Sequence, residues 1–205
     1  MTNVKNIPPL CGLVLAGGKS VRMKMDKSLL YYHGKSQVAY CFELLSKYCQ
    51  EVYLSNREDQ VSLEEHTKFP QIHDKFDRIG PLGGILTAMM HKPQSAWLVL
   101  ACDLPFIDHL TIKNLLAWRG IEKHATAYTS AHHPGEPEPL CAIYEPKSMP
   151  RLQEYMRQGI CCPKEILMKL DIAKLDHPRT NALDNVNSEE DFKKVVQLLT
   201  NSKHR

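Results

Sequence analysis

Short apolar runs rich in Val, Leu and Ile alternate along the chain with longer segments in which apolar residues return every three or four positions. The short runs predict strands over 12–16, 51–55, 70–73, 96–101, 124–129, 138–144 and 172–176. The run AWLVLA at 96–101 has no polar alternation, which places it at the centre of a sheet covered on both faces. Within 36–49, Val38, Phe42, Leu45 and Cys49 fall at i, i+4, i+7 and i+11, one face of a helix. Further helices are expected over 82–91, 109–119, 147–158, 163–170 and 189–200. The last is marked by Ser188 with Asp191 three residues on, an approximate capping box ahead of Phe192, Val195, Val196 and Leu199. Strands and helices that alternate in this way imply an α/β fold with a mainly parallel sheet.

The length of 205 residues suits a single domain, with a core over about 11–200 and short tails. Lys and Arg number 26 against 23 Asp and Glu, so the formal charge of +3 gives no field that would recruit nucleic acid, and any basic function must be local. The longest apolar run, 96–102, is far short of a bilayer span, and the N-terminus MTNVKNIPPL lacks an apolar signal region. A soluble, cytoplasmic protein with neither nucleic-acid nor membrane partners is the expectation. Seven cysteines without a CxxC pair read as reduced core thiols rather than a disulfide framework or a zinc site. The adjacent Cys161 and Cys162 read as partly buried small residues before they read as a redox pair. The Pro-rich stretch HHPGEPEP at 132–139 predicts a hairpin or a flap; its His132 and His133 have no third metal ligand nearby in sequence.

The chemistry concentrates in LVLAGGKSVRMKMDKS, residues 13–28, where a strand runs into Gly17 and Gly18 and then into Lys19, Arg22, Lys24 and Lys27. A Walker A loop, GxxxxGK[ST], would need glycine at position 13, which is Leu, and would need loop where 13–16 read as strand. The dinucleotide fingerprint GxGxxG fails on spacing as well. What remains is a double glycine that lets backbone N–H groups approach an anion, followed by a cation-rich loop at the carboxyl end of the first strand. A solvated charge run is the competing reading; the interleaved Val21, Met23 and Met25, which would hold the loop against the body, argue against it.

Residues 15–27, LAGGKSVRMKMDK, resemble the LAGGxSxRMGxDK signature of the molybdenum cofactor guanylyltransferases, members of the sugar-nucleotidyltransferase-like superfamily. HDKFDRIGPLGGILTAM (73–89), CDLPFI (102–107), EPEPLCAIYEP (136–146) and NVNSEEDF (185–192) resemble later segments of that family in the same order, so the likeness spans roughly 12–196. It implies a single-domain, Rossmann-like three-layer αβα sandwich with a mainly parallel, mixed central sheet. Two positions depart from the pattern. Lys24 stands where the signature has glycine, and Leu54, two residues before Asn56, stands where the family can show an Asn that contacts the base.

The implied reaction is transfer of GMP from GTP to the terminal phosphate of molybdopterin or Mo-molybdopterin, with release of pyrophosphate and with Mg²⁺ as cofactor. Because a nucleophilic anion meets an anionic phosphorus, catalysis should come from positioning and positive charge more than from an acid–base pair. By the resemblance, Arg22 and Lys27 hold the β- and γ-phosphates and stabilise the leaving group, and Asp103 coordinates Mg²⁺. Leu15, Ala16, Gly17 and Gly18 supply nucleotide contacts, joined by Asp74 and by Gly80, Pro81 and Leu82; Lys19 and Ser20 are further candidates. Asp77 is the alternative to Asp74, and Asp103 read from placement alone is as well suited to capping the turn before Pro105. Asn185 and Asn187, at i and i+2, would project from an extended segment to the same side and bind the pterin of the acceptor, with turn capping as the competing role. LAGG and GPLGG favour GTP by analogy. The implied partners are these substrates, with transient contacts to cofactor-biosynthesis proteins or molybdoenzymes. Two alternatives stand at this level: a related nucleotidyltransferase using CTP or another acceptor, and a catalytically impaired nucleotide binder in which Lys24 has altered the loop.

Overall fold

The computed structural model describes residues 7–18, 26–76, 79–130, 133–176, 181–186 and 188–202. Seven strands form one sheet: β1 (Leu10–Leu15), β2 (Glu51–Asn56), β3 (Gln71–His73), β4 (Ala96–Ala101), β5 (Ala125–Thr129), β6 (Pro137–Tyr144) and β7 (Ile172–Leu175). Their order is β3-β2-β1-β4-β6-β5-β7. Pairing is parallel except at β6, which runs antiparallel to both β4 and β5. Each strand expected from the apolar runs is present, and AWLVLA is β4 to the residue, with Ala96 to Leu100 fully buried.

The helices are α1 (Gln37–Ser46), α2 (Pro81–His91), α3 (His109–Ala117), α4 (Met149–Arg157), α5 (Pro163–Met168) and α6 (Glu189–Ser202). Alternation along the central strands feeds two cores. Val14, Leu98 and Leu100 pack with Val38, Leu45, Ile112 and Leu115 of α1 and α3. Leu13, Trp97 and Val99 pack with Leu82, Ile85, Leu152 and Ile166 of α2, α4 and α5. The result is helix, sheet, helix, as alternate side chains of a strand covered on both faces require. The buried face of α1 is centred on Val38, Cys41 and Leu45, while Phe42 and Cys49 lie at its margin.

A third cluster docks α6: Val195 and Phe192 pack with Leu30, Tyr32 and Val186. The capping box forms, with Asp191 N–H donating to Ser188 Oγ at 3.1 Å and Ser188 N–H to Asp191 Oδ2 at 3.0 Å. Of the hairpin or flap expected for the Pro-rich stretch, the described part from His133 leads into β6, which pairs antiparallel with β5. All seven cysteines are free thiols, and Cys11, Cys41, Cys102 and Cys141 are buried. Among the described residues no helix is long and apolar enough to cross a membrane.

Candidate active site

Chain order runs outward from β1 through β2 to β3 and then returns to β4 on the other side of β1. That reversal opens a crevice at the carboxyl ends of β1 and β4, the place where open α/β sheets bind ligands. Leu15 pairs with Ala101, and the Leu15 carbonyl accepts the Cys102 N–H at 3.2 Å. The double glycine and Asp103 therefore leave the sheet side by side.

On the first side, Ala16 is already engaged within the protein. Its N–H donates to Ser55 O at 2.8 Å, and its carbonyl accepts from Gln60 Nε2 at 3.1 Å. The Gly17 carbonyl accepts from Arg57 Nη1 at 2.6 Å. Gly18 is exposed, and among the described residues nothing lies within 4 Å of where a Cβ would stand. Past this point the chain is described again from Asp26, whose carboxylate caps the short 3-10 turn Lys27–Leu29 by accepting the Ser28 N–H.

Lys27 reaches back across the crevice. Its Nζ lies 3.8 Å from Asp103 Oδ2, with the two side chains 20% and 24% exposed. Burial pushes the Asp103 carboxyl up from the ordinary carboxylate value, and the Lys27 ammonium pulls it back. The pair thus sets a largely desolvated carboxyl opposite a cation. The turn that carries Asp103 is fixed at three successive carbonyls: Asp103 O accepts from Val186 N–H at 2.9 Å, Leu104 O from Gln37 Nε2 at 3.0 Å, and Pro105 O from His33 Nε2 at 2.8 Å. Asp103 therefore belongs to a turn braced through its backbone carbonyls, and its carboxylate faces Lys27. The Val186 bond brings the exposed Asn185 to the same place.

The glycines of GPLGG serve close packing. Gly80 opens α2 at φ +63° and ψ −148°, a conformation reserved for glycine, and Pro81 takes the first helical position. A Cβ on Gly83 would stand 2.5 Å from Asp74 Oδ1, and one on Gly84 would stand 2.5 Å from Ser55 Oγ and 2.9 Å from Leu15 Cδ2. Asp74 thus lies against the amino end of α2, where the helix dipole favours a carboxylate, and its Oδ1 accepts the Phe76 N–H at 2.9 Å. The Gly84 contact sets that helix against the end of β1. Leu82 is fully buried in the core beneath α2. Leu54 is buried as well and offers no side chain to a base.

The structure brings Leu15, Ala16, Gly17, Gly18, Lys27, Asp103 and Asn185 to one rim, with Asp74 and Gly80 to Leu82 at the neighbouring helix start. Lys19, Ser20, Arg22, Lys24, Asp77, His132 and Asn187 lie outside the described residues. Sequence reasoning missed Arg57, Gln60 and His66, which brace the loop from behind. They fall in 57–69, a largely polar stretch to which no strand, helix or motif is assigned from sequence. Among the described residues no three His, Cys, Asp or Glu side chains gather into a metal cage.

Residues 12–171 match the MobA-like NTP transferase domain. The chain belongs to this family. Its members are nucleotidyltransferases, and the matched region includes β1, the double glycine, Lys27 and Asp103. The chain is 37% identical over 91% of its length to a molybdenum cofactor biosynthesis bifunctional protein of Synechocystis, and it spans about half (54%) of that relative. It is 26% identical to a probable molybdenum cofactor guanylyltransferase of Flavobacterium johnsoniae, covering 89% of this chain and 94% of that one. Among solved structures, the molybdopterin-guanine dinucleotide biosynthesis protein A of Archaeoglobus fulgidus superposes with a TM-score of 0.75 at 21% identity, over 93% of this chain and 99% of the other. That likeness fixes the shared αβα architecture of the family.

Proposed function

We propose that this MobA-like transferase moves GMP from GTP to the terminal phosphate of molybdopterin or its Mo-loaded form and releases pyrophosphate. The observation that carries the reading is the Lys27–Asp103 pair at 3.8 Å beside a double glycine, at the switch point of the sheet. Gly17 and Gly18 let the triphosphate lie against backbone. Lys27, with Arg22 by the resemblance, neutralises the charge that gathers on the leaving pyrophosphate. A positive group already in place costs no reorganisation as that charge develops, which is how positioning becomes rate.

Mg²⁺ fits this site as a substrate-borne ion. Asp103 supplies one carboxylate whose burial favours a cation beside it, and Mg²⁺ takes one or two carboxylates with phosphates and water as its other ligands. When bound it would draw charge from the α-phosphate and the leaving group. The Val186 N–H bond to the Asp103 carbonyl keeps the neighbouring Asn185 near Asp103, which supports a part for Asn185, with Asn187, in holding the acceptor.

Preference for guanine rests on LAGG and GPLGG. It is tested by pyrophosphate release with GTP, CTP, ATP and UTP in the presence of molybdopterin and Mg²⁺. Turnover with GTP well above the others is expected, and turnover with CTP alone, or only with a non-pterin acceptor, overturns the reading.

A further inference from the structure

The two residues that flank Lys27 are tied to the end of β2 by a buried chain of hydrogen bonds. Asn56 Nδ2 lies 3.3 Å from His66 Nδ1, His66 Nε2 lies 2.8 Å from Ser28 Oγ, and Ser28 Oγ lies 2.6 Å from Asp26 Oδ1. His66 and Asn56 have no exposure at all, and Ser28 has 1%.

The direction of every proton in this chain follows from donor chemistry. Gln71 Nε2 donates to two backbone carbonyls, His66 O at 3.1 Å and Val61 O at 3.4 Å, so its Oε1 must be the atom that faces Asn56 at 2.6 Å. Asn56 therefore presents its NH₂ to Gln71 and to His66, and its Oδ1 accepts from His73 Nδ1 at 3.0 Å. With NH₂ opposite it, His66 Nδ1 is bare and accepts. The ring's one proton sits on Nε2 and is donated to Ser28 Oγ. The hydroxyl hydrogen of Ser28 is then committed to the Asp26 carboxylate, which also accepts the Ser28 N–H at 3.0 Å. The other Asp26 oxygen accepts from Gln60 Nε2 at 2.5 Å, the same amide that donates to Ala16 O. A protonated imidazole would set N–H against N–H at Asn56, and burial, helped by the nearby Arg57 cation, disfavours the charge by more than the Asp26 and Glu65 carboxylates and the Gln60 carbonyl favour it.

We propose that neutral His66 is a positioning residue for Lys27: it fixes the proton order of the Asp26–Ser28 clamp and so holds the backbone on both sides of Lys27 while Nζ faces Asp103. The clamp carries weight because the turn it closes, Lys27–Leu29, is only three residues long and has too few bonds to hold itself. The same network reaches Ala16, so one imidazole sets the spacing between the backbone before the double glycine and the cation that closes over it. The inference rests on the catalytic part given to Lys27 above.

The test compares the full chain with His66→Gln, which keeps an acceptor and a donor, with His66→Leu, which keeps volume and neither, and with Ser28→Ala. Hydrogen exchange without substrate and steady-state pyrophosphate release are read on each. His66→Leu is expected to speed exchange at amides 26–30 while β4 and α2 keep their protection, and to lower kcat/KM about tenfold or more, as small misplacements of catalytic groups do. His66→Gln recovers most of both. Combining Ser28→Ala with His66→Leu costs no more than the poorer single change, since both cut one chain. Equal losses in His66→Gln and His66→Leu, losses that multiply, or exchange that rises evenly across the sheet would overturn the proposal. Absence of turnover in the unmodified protein would count against the guanylyl-transfer reading alone, and the exchange comparison, which needs no substrate, still decides the role of His66.

Discussion

At the scale of single residues, the Lys27–Asp103 pair makes opposite demands on stability and on activity. Burial raises the Asp103 carboxyl, so the folded protein pays to keep that charge at neutral pH. Asp103→Asn removes the cost and the anion together. Its kcat/KM is expected to fall about 10²-fold or more, with no drop in the thermal midpoint; calorimetry beside a pyrophosphate assay checks both. Lys27→Ala should lose a similar factor in kcat/KM. Gly83 is a packing position with equally direct consequences. A methyl there would meet Asp74 Oδ1 at 2.5 Å, so Gly83→Ala should destabilise by about 1–3 kcal/mol in urea titrations, by overpacking. An unchanged midpoint would show that Asp74 moves freely and that Gly83 has no packing reason. Lys27 and Asp103 were legible as candidates because both directly follow features a sequence displays, a cationic loop and a buried strand. His66 was not, because it lies in a polar stretch and becomes informative only once β2 and the Lys27 turn are brought together.

Among the elements, strands and helices were readable because apolar period survives in each, down to the three-residue β3 with Ile72 as its buried member. The capping box of α6 was readable for a local reason: both of its partners lie within four residues. Ser188→Ala should therefore cost about 1 kcal/mol, measured as a lower thermal midpoint. The loss should loosen the seat of α6 on Tyr32 and Val186, and through the Val186–Asp103 bond it reaches the site. The face of α1 was read one position off centre, since Gln37 and Cys41 are buried for a tertiary reason: Gln37 is drawn inward to brace the carbonyl after Asp103. The glycines of α2 could be seen in the sequence, yet their cause could not, because it lies in Asp74 and Ser55 across the sheet edge.

Over the whole molecule, alternation of apolar runs indicated an α/β sheet, and the structure adds the order of its strands and the antiparallel course of β6. Order is what locates the crevice, since only the return from β3 to β4 puts the double glycine beside Asp103. The pH dependence of stability also belongs to this scale. The folded protein keeps His66 neutral below its ordinary pKa of about 6.5, whereas the unfolded chain takes up a proton there. Stability from this group is thus present above about pH 6.5 and falls as pH drops from there toward the lowered folded value. The decrease in urea midpoint between pH 7.5 and 5.5 should be smaller in His66→Gln than in the unmodified protein. An equal decrease would place the acid-labile group elsewhere. The central claim, that this crevice joins a guanine nucleotide to a pterin phosphate, is tested most directly by mass spectrometry of the product formed from GTP, Mg²⁺ and molybdopterin. Molybdopterin enlarged by one GMP is expected, with pyrophosphate released in equal amount; unaltered molybdopterin, or a CMP adduct when CTP competes with GTP, would contradict that claim.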